Sequence, residues 1–166
     1  PTFQVVTKLE RTSATGYKKQ LFSYYGAVSN VEGLGFFGFR ATLKTNWFDD
    51  TNPIISNVSK NDISLRGTNV ENYTVLGTAS PAAPIPSAFI DKNSITYNSQ
   101  LLPNKVFKLQ GISALQYNGL ENTSSETTNA YDAYNNPTQT ILKVKEGSTV
   151  VQTNTGVFTY DNQPTG

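Results

Sequence analysis

The stretch Tyr25-Gly26-Ala27-Val28-Ser29-Asn30-Val31-Glu32-Gly33-Leu34-Gly35-Phe36-Phe37-Gly38-Phe39-Arg40-Ala41-Thr42-Leu43-Lys44-Thr45-Asn46-Trp47 decides how this chain is read. It contains a Gly33-x-Gly35-x-x-Gly38 spacing that imitates a dinucleotide-binding turn. In such a turn the last glycine opens a helix, whose free N–H groups meet the pyrophosphate. Here Phe37, Phe39, Ala41, Leu43 and Trp47 share one parity, while Arg40, Thr42, Lys44 and Asn46 share the other. A period of two predicts a half-buried strand instead. The glycines are then a tight turn, a bulge, or a place where backbones approach too closely for a Cβ.

Outward from that strand, the chain reads as all-β. Residues 2–10 alternate as a strand, 11–16 form a turn, and 17–25 form a second, aromatic strand. Residues 36–48 are the strand just described, broken by the polar turn Asp49-Asp50-Thr51-Asn52-Pro53. Short β signals follow at Ile63-Ser64-Leu65 and Tyr73-Thr74-Val75-Leu76, separated by Gly67. Pro81, Pro84 and Pro86 cannot donate to a ladder, so residues 79–88 form an extended loop between segments 1–78 and 89–166. Beyond it, 89–97, 105–110 and 113–117 are predicted strands, with Asn118-Gly119 a hairpin turn. Residues 140–145 and 149–153 make a hairpin through Glu146-Gly147-Ser148, and 157–160 are the last strand. No segment sustains a helical period.

The composition removes much chemistry. The 166 residues suffice for one domain with a core, and they include no histidine, cysteine or methionine. Ser-His-Asp triads, thiol nucleophiles, disulfides and Cys/His zinc sites are therefore impossible within this sequence. A lysine- or carboxylate-based enzyme remains possible, though no motif assembles one. Net charge is +1, with dispersed cations, which gives no footprint for nucleic acid or a membrane surface. No apolar run approaches the roughly 18 residues of a spanning helix. Charged residues make up only 15%, with Thr, Asn and Ser dominating the polar residues, as in a turn-rich extracellular β protein. Sequons stand at Asn57, Asn72 and Asn122, a number such a composition produces by chance. The sequence begins at Pro1 and stops at Gly166, and is read as an internal piece of a longer polypeptide.

Candidate sites are few. Asp49-Asp50 with Asn52, and Asp132 with Asn135 and Asn136, carry oxygen ligands for a hard cation, but lack EF-hand spacing. Asx turns capped by their own backbone explain them better. The twelve acids lie mostly in turns and suggest no glycosidase cleft. Tyr24, Tyr25, Trp47 and Phe48 could form an aromatic platform for sugar. The parity of Trp47 points it to the buried face, whereas Tyr24 and Tyr25 must face opposite ways in one strand. Lys143 with Lys145, and Arg40 with Lys44, share faces of the solvated or lumen-facing kind. Tyr-Asx pairs recur at Tyr97, Tyr117, Tyr131, Tyr134 and Tyr160, each at or near the end of a β-like run, where the Asx can turn the chain.

Two motifs carry a resemblance. Tyr131-Asp132-Ala133-Tyr134-Asn135-Asn136-Pro137-Thr138 resembles the Tyr-Asp-x-x-Gly-Asn core of the RHS (rearrangement hotspot) YD-repeat family, and Tyr160-Asp161-Asn162-Gln163 looks like a degenerate copy. Asn135 stands where the family has glycine, and asparagine is the best substitute in a left-handed position. Gly33, Gly35, Phe36, Gly38 and Phe39 resemble the Gly-x-Gly-Phe-x-Gly-Phe segment that precedes such repeats there and in the B component of Tc toxin complexes.

The resemblance implies antiparallel β-hairpins wound into a shell that encloses or displays a C-terminal effector. The motif residues Gly33, Gly35, Phe36, Gly38, Phe39, Tyr131, Asp132, Asn135, Asn136 and Pro137 would be structural. The family's self-cleaving Asp-Pro element has no counterpart in this sequence, so no catalytic residue, metal or cofactor is carried over. The expected protein is non-enzymatic and secreted or on a bacterial surface. Its partners would be the remainder of its own polypeptide, an effector domain and secretion machinery. The rival expectation is an extracellular β-sandwich for adhesion or carbohydrate binding.

Overall fold

The structure, a computed structural model, describes residues 4–14, 16–30 and 33–160. It is all-β: β1 (Lys8–Ser13), β2 (Gly16–Asn30), β3 (Gly35–Thr45), β4 (Ile55–Asp62), β5 (Thr68–Leu76), β6 (Asp91–Leu101), β7 (Phe107–Asn118), β8 (Thr123–Tyr131), β9 (Pro137–Glu146) and β10 (Thr149–Val157). Two compact units divide the chain, Pro1–Lys92 and Asn93–Gly166. In the first, β1 to β5 pair in chain order, each antiparallel to the next. In the second, β7 to β10 do the same. These are hairpin meanders, without the crossovers of a Greek-key sandwich.

Register explains the first unit's core. Leu43 opposes Val58, which opposes Tyr73, and one step along Thr45 opposes Ser56, which opposes Val75. Directly opposed residues share a face, so both rows lie on one side of the sheet. All six are buried, and Val58 and Tyr73 almost completely. What covers them is the proline-rich segment, with Ala79, Ile85 and Phe89 packed on the cluster. Because prolines donate nothing, the segment is tied down by its other groups. Gly77 N–H donates to Ile54 O (2.7 Å), Ile90 N–H to Thr74 O (2.7 Å) and Lys60 Nζ to Ala83 O (3.2 Å). The buried Ser56 hydroxyl donates to Gly77 O at 2.7 Å, which removes the cost of hiding it. Each large side chain covered this way contributes about 1.5–3 kcal/mol.

The second unit has no such interior. Among its described residues none is buried, and the apolar side chains of β7 to β9 are half-covered by their strand neighbours or exposed. Lys145 Nζ meets Glu126 Oε2 at 2.8 Å across β8 and β9. That pair holds the Glu126 carboxyl below its ordinary value of 4.5, by hydrogen bond first and charge second.

Several expectations are corrected. Ile63-Ser64-Leu65 is a turn, because the Asp62 carboxylate accepts from Ser64 N–H (2.8 Å) and Ser64 Oγ (2.6 Å) and its carbonyl from Leu65 and Gly67 N–H. That local network outweighs the β propensity of two aliphatic residues. β4 was not legible as a strand, since Ser, Asn and Lys interrupt its apolar positions. β8, almost wholly polar, was equally silent. Residues 107–118 form one strand instead of two, and β1 runs on through the expected turn at 11–13. β10 extends to Val157, and no strand occupies 158–160.

Trp47 is half-buried, not core. β3 ends at Thr45, where the Asn46 side chain bridges Pro53 O and Ile55 N–H. The alternation stops there. Phe48 takes the buried place through paired bonds with Lys19, and Trp47 lies under the Arg11 guanidinium at 5.2 Å.

Candidate functional site

The two motifs fall in different units, and each builds a local constellation. In the first unit, Gly33 lies in the turn ahead of β3, and Gly35 is the strand's first residue. The β2–β3 register jumps from Val28↔Gly38 to Ser29↔Phe36, which leaves Phe37 as an extra, bulged residue. Gly38 (φ +98°) supplies the left-handed backbone such a bulge needs. Phe36 meets Phe39 edge-on with centroids 5.4 Å apart, and Phe39 lies 4.7 Å from Tyr24. The glycines open a strand, and no helix N-terminus stands ready for a phosphate.

The bulge is also where Gly67 becomes indispensable. Its φ is +80°, and a Cβ there would lie 2.3 Å from the Phe37 carbonyl oxygen. This close approach belongs to the motif's architecture, and nothing in the spacing of Gly67 announced it.

In the second unit, Tyr131-Asp132 ends β8 and turns the chain into β9. Asp132 Oδ1 accepts from Tyr134 N–H (2.9 Å) and Asn136 N–H (2.8 Å), while Oδ2 accepts from Asn136 Nδ2 (3.0 Å). The backbone closes with Asp132 N–H to Asn136 O (3.0 Å) and Asn135 N–H to Asp132 O (3.2 Å). Asn135 has φ +75°, the left-handed position its place in the motif requires. Pro137 begins β9 opposite Tyr131, at a register shift where its missing N–H costs no ladder bond. The Tyr131 hydroxyl reaches Gly111 O at 2.9 Å and so ties the turn to β7, helped by Asn129 Nδ2 at 3.0 Å. In this assembly the Asp132 carboxylate, the Asn136 amide and the Tyr131 hydroxyl all serve the turn.

The same turn recurs thirty residues earlier in other letters. Leu102 N–H donates to Val106 O (2.9 Å), Lys105 N–H to Leu102 O (2.9 Å), and Lys105 has φ +66°. Leu102 stands where Asp132 stands, so this turn lacks the carboxylate cap; Asn104 Oδ1 accepts from Val106 N–H instead (3.2 Å). No sequence signal linked the two. The Tyr-Asx pattern itself is looser than expected: Tyr97-Asn98 lies inside β6, and Asp161 lies outside the described residues.

The cation candidates resolve as turns. Asp49 Oδ1 accepts from Thr51 N–H, Thr51 Oγ1, Asn52 N–H and Asn52 Nδ2 at 2.6–2.9 Å, which holds the carboxyl far below its usual range. Its lone pairs are taken by its own loop. Among the described residues, no three acidic side chains converge on a metal site.

Described residues of the first unit line two clefts. One of about 300 Å³ lies under the proline-rich segment between Tyr73, Val75 and Pro84. The other, about 400 Å³, lies between Tyr25, Lys60 and Pro81. Tyr25 is 48% exposed, whereas Tyr24 is half-buried against Phe39, so the two tyrosines divide as strand parity requires.

No protein-family model matches the chain, and no curated protein matches it.

Proposed function

We propose that this chain is a non-enzymatic structural segment of a secreted or surface protein of the RHS/YD-repeat kind. Its role would be to form part of a β-shell that encloses or displays a C-terminal effector. The observation that carries this reading is the second unit: four strands paired in a meander, among whose described residues none is buried. A soluble sheet ordinarily hides one face, because strand pairing alone is marginal in water. Such a meander makes sense as wall, where further hairpins continue the ladder and cover its edges.

Two further features support it. The Tyr131–Pro137 turn spends the Asp132 carboxylate and the Tyr131 hydroxyl on holding a hairpin, which is what a repeat must do and a catalytic loop need not. Its backbone copy at 102–106 shows that the hairpin geometry recurs where the letters do not. The test is electron microscopy of the secreted polypeptide that carries this segment. A hollow particle is expected; a string of separate compact domains would contradict the reading.

A further inference from the structure

The cleft of about 300 Å³ under the proline-rich segment is lined by a polar group that the fold itself does not use. Its volume reaches the lower end of the range for small-ligand sites. Tyr73 and Val75, 2% and 5% exposed, form its floor. They stand two residues apart on β5 and so share the face that the cover packs on, and Ala79, Pro84 and Pro86 of that cover form the walls. These walls are fixed in advance. Ser56 Oγ donates to Gly77 O (2.7 Å), Lys60 Nζ to Ala83 O (3.2 Å) and Ile90 N–H to Thr74 O (2.7 Å), which pins the segment at both ends and in the middle. Between those ties Pro81, Pro84 and Pro86 restrict the backbone further.

Tyr73 supplies the chemistry. Lys60 Nζ lies 5.6 Å from the centre of its ring, but the hydroxyl makes no hydrogen bond to any described residue. Among the described residues, the side-chain polar atom sealed from solvent without a partner is Asn93 Oδ1, so the Tyr73 hydroxyl is not sealed. Of the two clefts, Tyr73 lines this one. A lone hydroxyl on a side chain otherwise covered, beside a preformed apolar cleft, is the kind of group that orients a bound molecule. Burial first, and the Glu71 charge second, push its pKa above the ordinary 10.0, so it stays protonated and donates. None of the described residues lining the cleft is charged, and Thr78 and Ser80 add only hydroxyls.

We propose that this cleft binds a small uncharged ring bearing a carbonyl oxygen. Val75, Ala79 and the two prolines take the apolar body of the ring, and the Tyr73 hydroxyl donates to the carbonyl. A carboxylate or ammonium in the same place loses hydration and finds no counter-charge in the lining. The inference does not rest on the wall reading, and it gives the covered unit a ligand preference of its own.

The test is a chemical-shift titration of the full, isotope-labelled chain with acetophenone, toluene and benzoate in parallel. The three share one ring and differ in the group it carries. Acetophenone should bind saturably, with shifts centred on residues 73–76 and 78–88. Toluene should bind roughly fivefold more weakly, and benzoate roughly tenfold or more. Tyr73→Phe keeps the buried ring and removes only the hydroxyl, so it should melt like the parent and bring acetophenone down to the toluene level. Equal affinity of the parent for toluene would overturn the role of the hydroxyl, and equal affinity for benzoate would overturn the preference for a neutral ligand. Shifts centred elsewhere, or none that saturate, would remove the site. The three parent titrations decide among these outcomes whether or not the variant folds.

Discussion

The two units are built from the same element, an antiparallel hairpin, and differ in what lies over it. In the first, β3 to β5 carry Leu43, Val58, Tyr73 and Val75 beneath a proline-rich cover. In the second, β7 to β10 present their side chains without an interior. Pairing gives both units their shape, but burial gives only the first an anchor of its own. The difference teaches that strand content and burial are separate matters here: the first unit has a buried cluster, and among the described residues of the second none is buried.

Substitution in the core should break the comparison most sharply. Tyr73→Ala empties a fully buried site and should cost about 3–5 kcal/mol. Ile141→Ala, at a half-covered position of β9, should cost about 1 kcal/mol. Urea unfolding reads both, and equal losses would mean the units are equally well packed.

Two glycines sharpen the contrast at backbone level. Gly67→Ala drives a Cβ into the Phe37 carbonyl at positive φ and should cost roughly 2–3 kcal/mol. Gly147→Ala also sits at positive φ, but its Cβ would stand 3.4 Å from the end of the Asn122 side chain, which can shift. About 1 kcal/mol is expected there, and thermal denaturation of the two variants should rank them in that order.

Within the second unit, the capped and uncapped turns form an internal control. Asp132→Ala leaves the N–H groups of Tyr134 and Asn136 unbonded and should lower stability by about 1 kcal/mol. Leu102→Asp places the same carboxylate in the copy and should raise stability by a few tenths of a kcal/mol. If neither variant moves the melting temperature, the cap is ornamental.

The smallest effect is electrostatic. Because the folded pKa of Glu126 is depressed by Lys145, the pair's contribution is complete above the ordinary value of 4.5 and fades as pH falls through the lower folded value. Both side chains are about one-third exposed, so screening limits it to a few tenths of a kcal/mol. Glu126→Gln should flatten that part of the acid-unfolding curve.

The sequence carried some of this openly. The parity of Phe39, Ala41 and Leu43 announced β3, and the three prolines announced the loop, because both signals are local. That the loop would lie over the sheet was not readable, since it depends on which strands meet beneath it. β4 and β8 escaped for a related reason: their places are set by hydrogen bonds to neighbours, while their own residues are polar. Trp47 departs from its parity because β3 ends at Thr45 and the Asn46 side chain redirects the chain just before it. Asn135 was legible, since a left-handed turn position admits few residues. The copy at Leu102–Val106 was not, because a backbone turn can be closed by main-chain bonds alone.

Hydrogen exchange on the full chain, followed amide by amide, tests the central contrast most directly. The amides of β3 to β5 should exchange last, near the limit set by global unfolding, while those of β8 to β10 should exchange orders of magnitude sooner through local opening. Equal protection in both units would contradict the account, because the second would then hold itself together without neighbours.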